Sequence, residues 1–202
     1  DMVRYEYIRH LGYYCTESSE HNAEYNPWFI KSRYPEMIDE FNIPLDEYPR
    51  RCIKQIEGWE KERADILRDG KITHERSKEY ASYIMEAVMT DQPYKIGGNV
   101  RNDGYIENLP GDACVEVPCY IDGTGVHPTK VGKLPAHLAA MNAANIGVQL
   151  MTIEAAVTKD RKKIYQAAML DPHTAAELNI GDIIKMCDEL IEAHGEYMKD
   201  YR

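Results

Sequence analysis

Cys114-Val115-Glu116-Val117-Pro118-Cys119-Tyr120-Ile121 reads as a β-strand, and Asp122-Gly123-Thr124-Gly125 after it reads as the turn into a partner strand. Proline has no N–H to give to a ladder, so Pro118 predicts an edge strand or a bulge. Cys114 and Cys119 are five apart on this run and predict side chains on opposite sheet faces, which argues against a shared metal. Around the strand, Lys95 to Pro135 is rich in glycine, proline and β-branched residues, whereas both flanks carry helical spacing. The fold class that follows is α+β, mostly helical with a small antiparallel sheet, in one domain over residues 1–202.

Helical spacing runs from Met2 to Leu11 with Gly12 as the stop. Pro27, Pro35, Pro44 and Pro49 then punctuate short elements. Ile53, Ile56, Trp59, Ala64 and Leu67 predict an amphipathic helix over Arg50 to Leu67, ending at Gly70. A second helix is predicted from Glu75 to Met89. After the sheet, Pro135 suits a helix first turn, and helices are predicted to Val157, from Arg161 to Met169 and from Ile180 to Met198. Asp171-Pro172-His173 reads as a helix-breaking turn. His74 and His194 fall in helix flanks and read as solvated, and His137 reads as structural.

The 202 residues are 44% hydrophobic and 29% charged, which is ordinary for a folded domain. A net charge of −10 leaves no basic stripe to neutralise phosphates, so nucleic acid is excluded as a partner and an anionic membrane is disfavoured. No run of residues reaches the length of a transmembrane span. Five scattered cysteines with no CxxC pair predict free thiols in a reducing, cytoplasmic setting. Asp1-Met2-Val3-Arg4-Tyr5 opens inside a helical pattern and reads as the interior of a longer chain.

Two polar clusters are candidate chemistry. Tyr13 through Tyr25 gathers phenols, carboxylates, hydroxyls, a thiol and an imidazole, with His21 and Glu24 three apart on one helical face. It is open to two readings: a substrate pocket, or a surface helix capped by Ser18 or Ser19. Its spacing matches no zinc signature. Gly97 through Gly104, with Asn99 and Asn102, and Asn108 beyond, reads as tight turns whose amides can also reach sugar hydroxyls. Neither a GxGxxG nor a P-loop is present. Fifteen tyrosines against two phenylalanines suit sugar-binding surfaces and protein interfaces as well as ordinary helix edges.

Several runs, in order along nearly the whole chain, resemble bacterial family-4 glycoside hydrolases of the α-galactosidase type. They are Leu11-Gly12-Tyr13-Tyr14-Cys15-Thr16-Glu17-Ser18-Ser19-Glu20-His21-Asn22-Ala23-Glu24-Tyr25, Asn108-Leu109-Pro110-Gly111-Asp112, Val115 to Cys119, Pro128 to Pro135, Gln149 to Ala156 and Ala168 to Ala175. The resemblance implies the fold of the C-terminal domain of lactate and malate dehydrogenases, following an N-terminal Rossmann half absent here. It implies NAD and a divalent metal, manganese, in the complete enzyme, with the metal-binding cysteine and histidine upstream of this segment; Cys15 and His21 are not those ligands.

The implied chemistry is the NAD-dependent exception to the two-carboxylate rule. Oxidation at C3 acidifies the proton on C2, a tyrosine removes that proton, the glycosidic oxygen leaves C1, and water adds before the hydride returns. A free phenol titrates near pH 10 and is a weak base at neutral pH, so neighbouring positive charge has to favour the phenolate. Within Gly12-Tyr13-Tyr14 the base is expected at Tyr13, with Tyr14 as second choice. His21, Glu24, Asn99 and Asn108 are expected to bind substrate. The lack of a basic cluster after Tyr25 favours a neutral glycoside over a 6-phosphoglycoside.

Two other readings compete with a hydrolase half that is inactive alone. One is a non-enzymatic oligomerisation domain burying the Pro135 to Val157 face against another copy; a homo-oligomer is also expected of the complete enzyme. The other is the C-terminal domain of a hydroxy-acid dehydrogenase, which would need a catalytic histidine and substrate arginines that are not recognisable here. The isolated chain is expected to self-associate through surface normally covered by its missing half.

Overall fold

Helix α1 (Met2–Leu11) stops where Gly12 enters the left-handed region at φ 80° and gives its N–H to the Ile8 carbonyl at 3.1 Å. The computed structural model describes residues 1–70, 75 and 77–202. The next elements are α2 (Ser19–Tyr25), α3 (Glu36–Glu40), α4 (Glu47–Asp69) and α5 (Ala81–Thr90). Strands β1 (Tyr94–Arg101), β2 (Cys114–Asp122) and β3 (Gly125–Pro128) follow. The chain closes with α6 (Ala136–Thr158), α7 (Arg161–Leu170), α8 (Pro172–Glu177), α9 (Ile180–His194) and a 3-10 turn over Gly195–Met198. The mostly helical α+β class with a small antiparallel sheet is what the sequence predicts.

The sheet runs β1-β2-β3, antiparallel throughout, with Asp122 opposite Gly125 across a two-residue turn. Pro118 therefore lies in the central strand, not on an edge or a bulge. Its carbonyl accepts the Thr129 N–H and the Thr129 hydroxyl, both at 2.8 Å, just past the end of β3. The missing proline N–H points to that same side, so the ladder loses one bond where β3 is already ending. Gly97 to Arg101, expected as turn, belongs to β1. Gly98 is needed there, because a Cβ on it would sit 2.7 Å from the buried Cys119 Sγ, whereas the Glu116 Oε1 that a Cβ on Gly97 would meet at 2.8 Å ends an exposed side chain that can swing aside.

Val115, Val117 and Cys119 on one face of β2 join Ile106, Leu109, Ala113, Ala139 and Ile146 in the main core. The opposite face, carrying Lys95, Asn99, Glu116 and Tyr120, is exposed. Cys114 is exposed and Cys119 buried, so the two thiols do lie on opposite faces. A second core joins Val3 and Tyr7 of α1 to Ala23, Phe29 and Ile43, and Met141 of α6 packs against it. Helix α6 thus bridges both cores. Its Ala139, Ile146 and Ala155 are buried, while Ala140, Ala143, Ala144, Ile153 and Val157 are exposed.

Several element limits differ from expectation. Helix α4 begins at Glu47, with Pro49 inside its first turn, where a missing N–H costs no hydrogen bond. Helix α5 starts at Ala81, later than Glu75, and His74 lies outside the described residues. Asp171 does break α7, but its carboxylate also accepts the Thr174 N–H at 2.7 Å and opens α8 with Pro172 at the first position. The last helix divides at Gly195, where φ is 49°. His194 is exposed at its end. Among the described residues no helix is long and apolar enough to cross a membrane.

Candidate functional site

The left-handed turn at Gly12 releases Tyr13 and Tyr14 from α1 at the mouth of a cleft of about 490 Å³. That volume suits a small ligand such as a sugar. One wall is the 13–17 loop with Tyr7, Asn22, Tyr25 and Asn26. The facing wall is Ile106, Leu109 and the start of β2 from Cys114 to Glu116. Leu138, Met141, Asn142, Asn145 and Gln149, along one side of α6, close the third side.

Buried asparagines hold both walls. Asn22 Nδ2 donates to the carbonyls of Glu17 (3.0 Å) and Ser18 (2.9 Å), and its Oδ1 accepts the Cys15 thiol. The Asn22 carbonyl accepts the Tyr7 hydroxyl at 3.0 Å and Asn26 Nδ2 at 3.1 Å. Burial drives the Tyr7 phenol well above its ordinary range, and the Cys15 thiol adds to the shift, so Tyr7 stays a neutral donor. Across the cleft, Asn102 is fully buried. Its Oδ1 accepts the Ile106 N–H at 2.7 Å, and its Nδ2 donates to the carbonyls of Ile106, Leu109 and Pro110 at 2.9–3.0 Å. That hub shapes the loop carrying Ile106 and Leu109.

Tyr13 and Tyr14 both line the cleft and are half-exposed. They are held differently. The Tyr13 ring packs 6.2 Å from His137, whose Nε2 lies 3.0 Å from the Leu11 carbonyl. That carbonyl can only accept, so Nε2 carries the proton, and the histidine ties α6 to the end of α1. The Tyr14 ring lies under the Arg4 guanidinium at 5.0 Å, and Arg4 is itself anchored to Asp1.

Ser18 is the N-cap of α2, its Oγ accepting the His21 N–H at 3.1 Å. His21 Nδ1 lies 2.8 Å from Glu24 Oε2, and the His21 ring stacks on Tyr25 at 5.7 Å. The hydrogen bond to Glu24 raises the affinity of His21 for its proton, partly against burial. Burial, then Glu17 and Glu24, raise the Tyr25 phenol. His21 and Glu24 are thus behind Tyr25, one layer out from the cleft surface.

The structure does not bring Asn99 and Asn108 to the cleft lining. Asn99 pairs with Glu116 across the exposed sheet face. Asn108 clamps the Leu134 backbone, donating from Nδ2 to its carbonyl and accepting its N–H, each at 2.9 Å. Asn102, read as a turn amide, is a buried brace of the loop wall, and Asn22, Asn142, Asn145 and Gln149 are the polar groups that sequence reasoning did not single out. The last three had a readable signal: amides recurring on one side of an otherwise apolar helix. Among the described residues no group of three or more His, Cys, Asp or Glu side chains could hold a metal ion.

Residues 1–174 match the family model described as "Family 4 glycosyl hydrolase C-terminal domain". Over all 202 residues the chain is 60% identical to an alpha-galactosidase of Bacillus subtilis (strain 168), covering 47% of that protein. The chain spans about half the length of the curated relatives it matches. The solved structure of lplD from Bacillus subtilis superposes with a TM-score of 0.82 at 22% identity, over 93% of this chain and 42% of that one, a likeness of fold. A 6-phospho-beta glucosidase from Thermotoga maritima, solved with manganese, NAD+ and glucose-6-phosphate, gives a TM-score of 0.59 at 27% identity over 82% of this chain and 40% of that one.

Proposed function

Because the chain belongs to family 4 of the glycosyl hydrolases through their C-terminal domain, we propose that it supplies the sugar-binding side of an α-galactosidase. The observation that carries this reading is the cleft itself. Tyrosines and amides line it, Tyr13 stands at its mouth, and the whole chain is 60% identical to an alpha-galactosidase. The family match goes to glycosidases, so the hydroxy-acid dehydrogenase reading falls away.

Tyr13 is the proposed base, taking the proton from C2 of the bound sugar and returning one after water has added at C1. Tyr14 is the second choice, since its ring is engaged by Arg4. His21 and Glu24 are proposed to position Tyr25 against the substrate. Asn99 and Asn108 are weaker assignments, Asn108 because its amide already braces Leu134. The described residues offer no donor set for a metal. On the family resemblance, NAD, which would take the C3 hydride, and the divalent metal, which would polarise the resulting ketone, are assigned to an N-terminal Rossmann half outside this chain. A cytoplasmic location and homo-oligomer assembly belong to the same reading; the exposed apolar row on α4 supports the latter. An assembly-only role is the second reading, resting on that same row.

The test is hydrolysis of p-nitrophenyl α-galactoside with NAD+, Mn2+ and a reductant. This chain alone is compared with the chain extended upstream, with and without Tyr13→Phe. Activity is expected only in the extended protein, with kcat lowered on the order of 10²–10⁴-fold by Tyr13→Phe. Robust NAD-independent activity from this chain alone would overturn the reading.

A further inference from the structure

Tyr13 leaves α1 across the left-handed hinge at Gly12, so the helix by itself does not fix where its ring stands. The ring lies against His137, with centroids 6.2 Å apart and planes tilted by 50°. His137 also reaches the hinge, its Nε2 donating to the Leu11 carbonyl at 3.0 Å across 126 residues of sequence. Leu11 ends α1, and its carbonyl is among those that a helix terminus leaves without an intrahelical partner. One side chain thus meets the residue before the hinge and the residue after it.

His137 is itself firmly placed. It is the second residue of α6, behind Pro135, whose ring holds φ at −51°. The Pro135 carbonyl accepts the Ala139 N–H at 2.9 Å. Leu134, just before, is clamped through its N–H and its carbonyl by Asn108, each at 2.9 Å. Asn108 stands between Ile106 and Leu109 on the loop wall of the cleft. The start of α6 is therefore braced against one wall and steadies the tyrosine that stands on the other.

A general base has to come within about 2.6–3.2 Å of the proton it takes. A displacement of about 1 Å can cost on the order of 100-fold in rate. A tyrosine that follows a glycine hinge needs support from elsewhere to meet that demand. Resting on the assignment of Tyr13 as the base, we infer that His137 is its positioning residue. It fastens the hinge through the Leu11 carbonyl and flanks the ring, and it is not part of the cleft lining. Tyr14 is held differently, under Arg4, so the ring contact with His137 is particular to Tyr13.

The experiment uses the chain extended upstream, with NAD+, Mn2+, a reductant and p-nitrophenyl α-galactoside. Two partial reactions are followed: reduction of NAD+ by hydride from C3, read by NADH absorbance, and loss of the C2 proton to D2O, read by NMR. His137→Ala is expected to slow the C2 exchange about 10–100-fold and to leave NAD+ reduction at the wild-type rate. A merely structural part would lower both reactions by the same factor, through a smaller folded fraction. Equal losses, or no loss in either, overturn the inference. His137→Gln keeps an N–H for the Leu11 carbonyl and is expected to recover part of the exchange rate. It also carries the comparison if His137→Ala does not fold. If the wild type neither reduces NAD+ nor exchanges C2, the hydrolase reading fails separately. Positioning is then read by 19F NMR of 3-fluorotyrosine in place of Tyr13. A single sharp line that broadens or splits in His137→Ala sustains it, and a line that stays unchanged overturns it.

Discussion

Helices α4 and α6 are both 23 residues long, and their surroundings are opposite. Helix α4 has its apolar residues gathered on one side, yet Ile53, Ile56, Trp59 and Leu67 on that side face water, with Ile56 72% exposed. The ion pairs of Glu47 with Arg50 and Arg51, of Glu60 with Arg63 and of Asp65 with Arg68 lie within the helix. Helix α6 is apolar nearly all round. It buries Ala139, Ile146 and Ala155 and shows amides to the cleft. One-sided periodicity therefore says that a helix forms and nothing about what covers it, whereas the more evenly apolar α6 reaches both cores while keeping Ala140, Ala143, Ala144, Ile153 and Val157 exposed.

The largest expected effect lies beside α6. Asn102→Ala would leave the Ile106 N–H and three loop carbonyls without their buried partner. A loss of about 3–5 kcal/mol is expected in urea unfolding of this chain. A loss below about 1 kcal/mol would mean that water replaces the amide, and that the loop wall is far less fixed than the α6 side implies.

The complementary change on α4 is expected to be nearly silent. Ile56→Ser on an exposed row should alter stability by no more than about 0.5 kcal/mol in the same measurement. It should also reduce any concentration-dependent self-association seen by light scattering. A loss above about 1.5 kcal/mol would show that Ile56 is packed in solution, and the contrast between the two helices would disappear.

These contrasts separate what the sequence makes legible from what it does not. Met2–Leu11 with its Gly12 stop, the Asp122-to-Gly125 hairpin and the helix after Pro135 are local facts, set by spacing and by backbone preference, and they are readable. Strand β1 is hidden by Gly97 and Gly98, which read as turn; the reason for Gly98 is its close approach to the buried Cys119, a contact set by strand pairing and not by local sequence. The same limit applies to the cleft. Tyr13 and Tyr14 could be singled out, but the facing wall is built by Asn102 and by an amide row on α6, and only folding brings these opposite the tyrosines. Asn108 looked like a ligand group because an exposed amide looks the same whether it meets a sugar or the Leu134 backbone.

The smallest expected effect separates local from long-range charge. Glu177 on α8 accepts from Lys31, from the Ser32 hydroxyl and from the Ser32 N–H, the last at 3.0 Å, across 145 residues of sequence. The bond from Lys31, then those from Ser32, hold its carboxyl down to about 2. A carboxyl depressed in the folded state stabilises above its unfolded pKa, near 4.3 for glutamate. That contribution is lost as pH falls from there towards about 2. Hydrogen exchange at residues 31–32 and along α8 is expected to quicken, relative to the rest of the chain, over that interval. Glu177→Gln should abolish the extra pH dependence there. The ion pairs of Glu47 with Arg50 and Arg51 connect residues three or four apart within α4, so their protonation should leave exchange in α1, α2 and α8 unchanged. If α8 and the 31–32 segment loosen in step with α4, the Glu177 contact does not act as a tie between the two ends of the chain.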